Sequence, residues 1–219
     1  MTVIAIDGPA GAGKSTIARN VARQLGWRYV DTGAMYRAVA LSALQRGIDP
    51  ADAPKVADVA RTADIRLSNG SVFLDDRDVT TEIRTDAVTR AVSMVSAHPD
   101  VRAALVPLQR ASAGSENVVM EGRDIGNVVF PDAELKVWLT ASESERARRR
   151  LEQLGRRASA DDISEMERAI SERDQRDASR SASPMRRPPD AVDIDTTDKS
   201  IDAVTEEIVA LARERAGHG

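Results

Sequence analysis

The segment that most constrains this chain is Gly8-Pro9-Ala10-Gly11-Ala12-Gly13-Lys14-Ser15, which directly follows the apolar run Val3–Ile6. This G-x-x-x-x-G-K-S pattern is typical of a loop whose backbone N–H groups surround phosphates, because its glycines allow close approach. Lys14 can reach the outer phosphates and the Ser15 hydroxyl can ligate Mg2+. Residues from Thr16 to Leu25 have helical spacing, which predicts a helix whose N-terminus faces the phosphates. We therefore expect residues 8–16 to bind a nucleoside triphosphate.

A glycine-rich turn that binds nothing is the alternative interpretation of this segment. The four fixed positions match a chain of this length by chance in somewhat under ~1 case in 100, and the flanking elements reduce that fraction further. We therefore favour phosphate binding. The pattern does not say where the phosphate goes, because hydrolases, switches, transporters and kinases share it.

Length and composition indicate a single globular protein that is large enough to be an enzyme. The chain has 219 residues, of which 42% are apolar, and no uninterrupted apolar run approaches the ~18 residues of a membrane-spanning helix. It has no cysteine, and its first predicted strand begins almost at once without a basic or cleavable apolar leader. We therefore expect a cytoplasmic protein that does not contact a membrane.

Arginine is concentrated in one part of the chain. Residues 146–187 contain twelve arginines and no lysine, interleaved with many acids, while the net charge of the whole chain is −4. Most of these side chains fit a solvated helical face with i,i+4 ion pairs, and so many acids argue against a nucleic-acid surface. The preference for arginine also fits bidentate phosphate binding.

The hydrophobic pattern alternates between strands and helices. Strands are predicted over 3–6, 27–30, 117–120, 135–139 and 192–194, and helices over 16–25, 33–46, 52–63, 86–97 and 100–113, from about 142 and from about 200. Thr32 and Asp100 are the predicted N-caps of two of these helices, and residues 159–162 are predicted to be a loop. This order predicts an α/β fold with a mostly parallel sheet that binds ligands at the carboxyl ends of its strands.

One segment departs from that alternation. Residues 65–67 and 72–74 alternate around Asn69-Gly70, the favoured two-residue turn of a hairpin, and residues 79–83 suggest a third strand. We therefore predict a small antiparallel lobe inserted into the main fold.

A helical stripe near the arginine-rich segment changes from apolar to ionic. Met166, Ile170, Arg173, Asp177 and Arg180 recur at steps of three and four. Charges that face inward need partners, and an anionic substrate is one such partner. The alternative is that Arg173 and Asp177 pair with each other at the surface, so the stripe favours a site without establishing one.

Motifs along nearly the whole chain resemble those of the bacterial-type cytidylate kinases, a family of nucleoside monophosphate kinases. They are residues 6–9 with the phosphate loop, Asp31-Thr32-Gly33-Ala34-Met35-Tyr36-Arg37, Glu82-Ile83-Arg84-Thr85, Gly122-Arg123-Asp124-Ile125-Gly126, Val128-Val129-Phe130-Pro131-Asp132, Glu172-Arg173-Asp174, and Arg176-Asp177 with Arg180. The resemblance implies a three-layer P-loop kinase fold with a short helical lid. It implies a core of residues 1–31, 114–155 and 181–219, a monophosphate-binding lobe over 32–113 with a β insert at about 64–84, and a lid region with a substrate-facing helix over 156–180.

The resemblance also implies a reaction, transfer of the γ-phosphoryl group of ATP to CMP or dCMP with Mg2+, by a monomer that binds no nucleic acid. The implied nucleotide contacts are Arg37, Arg123 and Arg180 on the acceptor phosphate, Arg173 and Asp177 on the sugar, Ser93, Arg102 and Asp124 on cytosine, with Thr32 also on the CMP side. Arg146, Arg149, Arg150 and Gln153 match the lid, of which Arg146 and Arg150 are expected at ATP; Lys14, Arg123, Arg149 and Arg180 are the expected catalytic residues. Ser15 is expected to ligate Mg2+ directly and Glu121 through water.

Two departures from the family pattern bear on these expectations. Asn127 stands where we expect threonine, and Glu121 stands where related sequences carry aspartate, which leaves the role of Glu121 at Mg2+ open. A guanine-nucleotide switch is disfavoured, because residues 197–200 read Thr-Asp-Lys-Ser and not Asn-Lys-x-Asp. A kinase for UMP, AMP or an alcohol, and a nucleic-acid-dependent ATPase, stay open on the loop alone.

Overall fold

The computed structural model describes residues 1–68, 70–155 and 159–216. In chain order these form β1 Val3–Asp7, α1 Lys14–Leu25, β2 Arg28–Asp31, α2 Thr32–Gln45, α3 Ala53–Thr62, β3 Ile65–Ser68, β4 Ser71–Leu74, β5 Arg77–Asp78, α4 Asp86–Val95, α5 Pro99–Ala113, β6 Val118–Glu121, β7 Leu135–Thr140, α6 Glu143–Gln153, α7 Ala160–Ala178, β8 Val192–Asp195 and α8 Ile201–Ala216. A 3-10 turn at Glu82–Arg84 and a π-helical turn at Ile125–Val129 complete the list. None of the described helices is long and apolar enough to cross a bilayer.

Five parallel strands form the central sheet in the order β2-β6-β1-β7-β8. The strands are buried on both faces, because Ile4 and Ile6 of β1 pack with α1 and α8 while Val3 and Ala5 pack with the other layer. That other layer includes the end of α5 and the π-helical turn. The three-layer α/β fold predicted from the sequence is confirmed, and every pairing in this sheet is parallel.

A second hydrophobic core fills the lobe that follows β2. Helices α2 to α5 enclose Met35, Leu105 and their apolar neighbours, and a three-stranded antiparallel sheet, β3-β4-β5, closes one side. Ile65 pairs with Leu74, which confirms the hairpin, while Asn69 of its predicted turn lies outside the described residues. The lobe therefore has a hydrophobic core of its own.

The third strand of that lobe lies earlier than predicted. It is Arg77–Asp78, whereas the predicted residues 79–83 contain the start of the 3-10 turn. Val79 and Ile83 are both buried, and the Ile83 N–H donates to the Val79 carbonyl at 3.0 Å. Two buried residues four apart suit a helical turn and not a strand, in which residues on one face are two apart.

Three boundary predictions were wrong for local reasons. Asp31 and not Thr32 caps α2, since its carboxylate accepts from the Ala34 N–H at 3.0 Å. Helix α5 begins at Pro99, a favoured first helical residue, so Asp100 lies inside the helix and does not cap it. Ser159 is the N-cap of α7, so residues 160–162 are helical and not a loop. The proposed division into core, lobe and lid stays a prediction.

Candidate active site

The phosphate loop lies between β1 and α1 at the carboxyl edge of the sheet. Gly11 and Gly13 have φ of 79° and 85°, a region that glycine adopts without strain. A Cβ on Gly8 would lie 2.1 Å from the Leu139 carbonyl oxygen, and one on Gly11 would lie 2.9 Å from Arg146 Cβ. Glycine is therefore required for the loop to lie this close to β7 and α6. The first N–H groups of α1, at the end of the loop, have no partners within the helix, which suits an anion there.

Lys14 and Glu121 form the buried centre of this region. Lys14 donates to the Pro9 carbonyl at 2.6 Å, and burial together with the charge of Arg123 lowers its pKa. Glu121, the last residue of β6, accepts from the Tyr29 hydroxyl at 2.5 Å and is hydrogen-bonded to Ser15. Burial and the charge of Asp31 raise the pKa of Glu121. A phosphate beside Lys14 would favour its charged form.

The oxygens of Ser15 and Glu121 fit a magnesium ion. Mg2+ usually takes one or two protein oxygens and fills its octahedron with phosphate oxygens and water. Among the described residues no group of three histidines, cysteines or carboxylates forms an all-protein metal cage. The pair therefore suits a cation that arrives with a nucleotide.

Two arginines of α6 lie against the phosphate loop. Arg146 donates to the Ala10 carbonyl at 3.0 Å and pairs with Asp174 of α7, which also accepts from the Ala10 N–H at 3.0 Å. Arg149 donates to Thr196 Oγ1 at 2.8 Å, and its guanidinium lies 3.6 Å from where a Gly13 Cβ would be.

Arg150 lies on another side of α6. Burial lowers the pKa of Arg150, against the opposing charge of Asp86, and the charge of Arg150 in turn contributes to the lowered pKa of Arg37 and of Arg173. The Arg150 Nη1 donates to Gln153 at 3.3 Å. The structure thus brings Arg150 near the arginines predicted at the acceptor, although the resemblance implied a contact with ATP.

Four arginines from different elements converge beyond the loop. We call Arg37, Arg123, Arg173 and Arg180 the arginine cluster. Burial and repulsion from neighbouring arginines, which include Arg150, lower the pKa of Arg37 to about 10 and that of Arg173 to about 9. The buried Nε atoms of Arg173 and Arg180 have no hydrogen-bond partner among the described residues. Such a cluster favours an anionic ligand, which would supply the missing acceptors.

Asp177 is buried within this cluster. It accepts from Arg123 Nε at 3.2 Å and pairs with Arg180, which also donates to Ser96 Oγ at 2.8 Å. The predicted alternative of an Arg173–Asp177 pair at the surface is therefore wrong, since Asp177 is only 2% exposed and its ion-pair partners in the described part of the chain are Arg123 and Arg180. Arg180 lies after the end of α7 and not on the predicted helical stripe.

Arg102 and Asp124 form a buried ion pair next to the cluster. Their side chains are 3% and 6% exposed. Arg102 also donates to the Ser96 carbonyl at 3.2 Å, and its guanidinium lies 5.2 Å from the centre of the Tyr36 ring. The Arg102 Nε atom has no partner among the described residues. Ser93, predicted to contact the same ligand, is buried on α4 three residues before Ser96.

Thr32 connects the two halves of the site. Its buried hydroxyl donates to the Glu121 carbonyl at 2.7 Å, which ties the start of α2 to the end of β6. Because Gly122 to Asp124 directly follow Glu121, this hydrogen bond holds α2 beside the segment that carries Arg123 and Asp124.

Sequence reasoning missed several residues that hold this site together. They are Asp7, which accepts from the two backbone amides that follow Asp124, and Tyr29, Ser96, Asp174 and Thr196, each hydrogen-bonded to a predicted site residue. The stripe spacing offered a signal for Asp174, which follows Arg173. A separate cleft of about 630 Å3 between β3, β4 and α5 contains none of the predicted site residues.

Comparison with known proteins identifies the family. A family model described as cytidylate kinase matches residues 4–214. The chain belongs to the cytidylate kinase family. A cytidylate kinase of Pelotomaculum thermopropionicum is 52% identical over 212 residues, which cover 94% of each chain. One of Mycobacterium leprae is 47% identical over 216 residues, covering 98% of this chain and 97% of the relative.

A solved structure shares the fold of this cytidylate kinase family member. The crystal structure of a gluconokinase from Sinorhizobium meliloti superposes with a TM-score of 0.51 at 17% identity, covering 99% of this chain and 94% of the other. At this identity the likeness concerns the fold alone.

Proposed function

We propose that the chain transfers the γ-phosphoryl group of ATP to CMP or dCMP, giving ADP and the corresponding diphosphate. One observation carries this proposal: two regions suited to anions directly follow the adjacent strands β1 and β6. The phosphate loop follows β1, whereas Arg123 of the arginine cluster follows β6, and the Gly122 N–H donates to the Ile6 carbonyl at 3.0 Å between them. Membership of the cytidylate kinase family supports the identity of both substrates.

On the donor side, residues 8–16 would hold the phosphates of ATP. Lys14 would balance charge on the outer phosphates, and Arg146 and Arg149 would flank them from α6. Ser15, with Glu121 through water, would hold Mg2+, which when bound neutralises phosphate charge. Closure of α6 and α7 over the site would exclude water, so that transfer outcompetes hydrolysis.

On the acceptor side, Arg37, Arg123 and Arg180 would hold the phosphate of CMP, with Arg150 close by. Arg173 and Asp177 would contact the sugar. This assignment is supported by the unpartnered Nε atoms of Arg173 and Arg180 and by the lowered pKa of Arg37 and Arg173. An anion there would relieve the repulsion between the guanidinium groups.

Asp124, Arg102 and Ser93 would recognise cytosine. Cytosine differs from uracil by an exocyclic amine, which needs an acceptor such as the Asp124 carboxylate. A site built around that hydrogen bond rejects a base without the donor, because a buried acceptor is then left unpaired.

The transfer needs no general base. The second pKa of a phosphate monoester is about 6, so the attacking oxygen is already ionised at neutral pH. Catalysis would then consist of aligning two anions in line and neutralising their repulsion with Lys14 and the arginines.

ADP formation against CMP, dCMP, UMP, AMP and GMP tests the proposal. We expect turnover with CMP or dCMP to exceed that with the others, and Arg173→Met to abolish it. Arg61→Met, the same chemical change on the exposed face of α3, serves as the control. ATP hydrolysis at the same rate without an acceptor would refute the proposal.

A monomeric state and a cytoplasmic location stay predictions from the sequence and the resemblance, as does the absence of nucleic-acid binding. Sedimentation velocity of the purified chain tests the first, and ATPase activity with and without added polynucleotide tests the last.

A further inference from the structure

Asp7 is a buried carboxylate that the proposed mechanism does not use. It is the last residue of β1, directly before the phosphate loop, and is 1% exposed. Its Oδ1 accepts from the Ile125 N–H at 2.9 Å and its Oδ2 accepts from the Gly126 N–H at 2.8 Å. Both amides directly follow Arg123 and Asp124 in the chain. One carboxylate therefore joins the donor strand to the segment that carries two acceptor-side residues.

That segment needs partners for its backbone. Ile125–Val129 is a π-helical turn, and the first N–H groups of any helical turn lack partners within it. The turn is closed further along, where the Phe130 N–H donates to the Ile125 carbonyl at 2.7 Å. Residue 124, which precedes the turn, makes no side-chain cap. Asp7, at the end of β1, thus accepts from the first N–H groups of the turn in place of a local cap. The Asp124 carboxylate can then pair with Arg102.

The charge of Asp7 is unfavourable for folding alone. Burial, with a smaller contribution from the charge of Asp124, raises its pKa to about 6, although the hydrogen bonds from the Gly126 and Ile125 amides and the charge of Lys14 oppose this shift. A group with a raised folded-state pKa costs stability at neutral pH, because the unfolded chain ionises it more easily. A carboxylate that fits two successive amides but costs stability suggests a functional requirement.

We propose that Asp7 is a positioning residue that fixes Arg123 and Asp124 relative to the phosphate loop, so that selection of the acceptor base depends on it. The inference rests on the proposed function. Asp7 contacts neither substrate in this arrangement and acts through the backbone of residues 125 and 126.

The variant Asp7→Asn tests the proposal. An amide has one accepting oxygen, so its NH2 group would face one of the two N–H donors and displace the segment. We expect kcat/KM for CMP to fall at least tenfold and the CMP-to-UMP ratio to fall at least fivefold, with KM for ATP changed less than threefold. Asp58→Asn, the same change on the exposed face of α3, is the chemical control. Val209→Ala, in the α8 core, controls for lost stability.

Two outcomes of this experiment would overturn the proposal. One is an unchanged CMP-to-UMP ratio in Asp7→Asn. The other is an equal loss in Val209→Ala, which would make the effect one of stability.

A measurement on the unchanged chain keeps the test independent of whether the variant folds. The amide NMR signals of Ile125 and Gly126 should shift together as pH falls, with one midpoint near 6, because protonation removes an acceptor from one of them. Asp124 and Lys14 are the charged groups that face Asp7, so their substitution should move the midpoint. Separate midpoints for the two amides, or none between pH 5 and 7, would refute the shared carboxylate. If the chain does not phosphorylate CMP, the proposed function is refuted, but this titration still tests the hydrogen bonds between Asp7 and the two amides.

Discussion

Replacement of Asp124 by asparagine probes the Arg102–Asp124 pair most directly. The side chain keeps its size and one accepting oxygen but loses its charge. Arg102 then keeps the Ser96 carbonyl at 3.2 Å and the Tyr36 ring at 5.2 Å, while its Nε stays unpartnered. Asp124 is the only close ion-pair partner of Arg102 among the described residues. The variant therefore leaves a side chain that is 3% exposed and positively charged without a counter-ion.

Two magnitudes follow from that geometry. Breaking a buried ion pair from one side costs about 3–5 kcal/mol, and the retained oxygen of asparagine argues for the lower end. A loss of about 3 kcal/mol lowers the Tm of a chain of this size by roughly 6–12 °C. A hydrogen bond to a charged group contributes about 1.5–3 kcal/mol, so kcat/KM for CMP should fall about 10- to 150-fold.

The assay is steady-state ADP formation with CMP and with UMP, beside thermal unfolding of the ligand-free protein. UMP turnover should be unchanged or faster, because uracil makes no use of the carboxylate as an acceptor. The double variant Arg102→Met with Asp124→Leu removes both charges and should regain most of the lost Tm without regaining CMP selectivity. An unchanged CMP-to-UMP ratio in Asp124→Asn would refute the base-reading argument, and an unchanged Tm would refute the buried pair.

Three further predictions concern the phosphate loop. Lys14→Ala should mainly lower kcat; a normal kcat with only a raised KM for ATP contradicts the assignment. Binding of a non-hydrolysable ATP analogue at pH 8 should take up protons, because burial lowers the pKa of Lys14 and phosphate raises it again; calorimetric enthalpies that do not vary between buffers of different ionisation enthalpy speak against this. Gly8→Ala should lower both Tm and ATP affinity, since its Cβ would meet Leu139 at 2.1 Å. Gly47→Ala, also at positive φ but with nothing within 4 Å, is the matched control with a cost of roughly 1–2 kcal/mol; equal losses in the two variants would show that φ and not the close approach decides.

Much of the fold was predictable because its signals are local. The glycine pattern after an apolar strand, and alternating strands and helices, predicted the parallel sheet. Local signals failed where two candidates compete. Asp31 and Thr32 are both good N-caps, and only the contact of Thr32 with the distant Glu121 carbonyl decides between them.

The predicted site residues came from motif resemblance, and their supporting contacts could not be predicted. Asp7 meets its amides 118 and 119 residues further along the chain, and Asp174 meets Ala10 across 164 residues. Ser96 belongs to none of the motifs, and its hydroxyl oxygen accepts from Arg180, which is 84 residues further along the chain. Such contacts depend on how β1, β6 and α7 meet in space, which neither periodicity nor spacing encodes.

Helix α7 carries two carboxylates one turn apart that hold different halves of the site. Asp174 binds the phosphate loop and Arg146, whereas Asp177 binds Arg123 and Arg180. A helix held by contacts at both places cannot move in response to one nucleotide without altering the pocket for the other. The two affinities are therefore thermodynamically linked, and the factor by which ATP changes the Kd of CMP must equal the factor by which CMP changes the Kd of ATP.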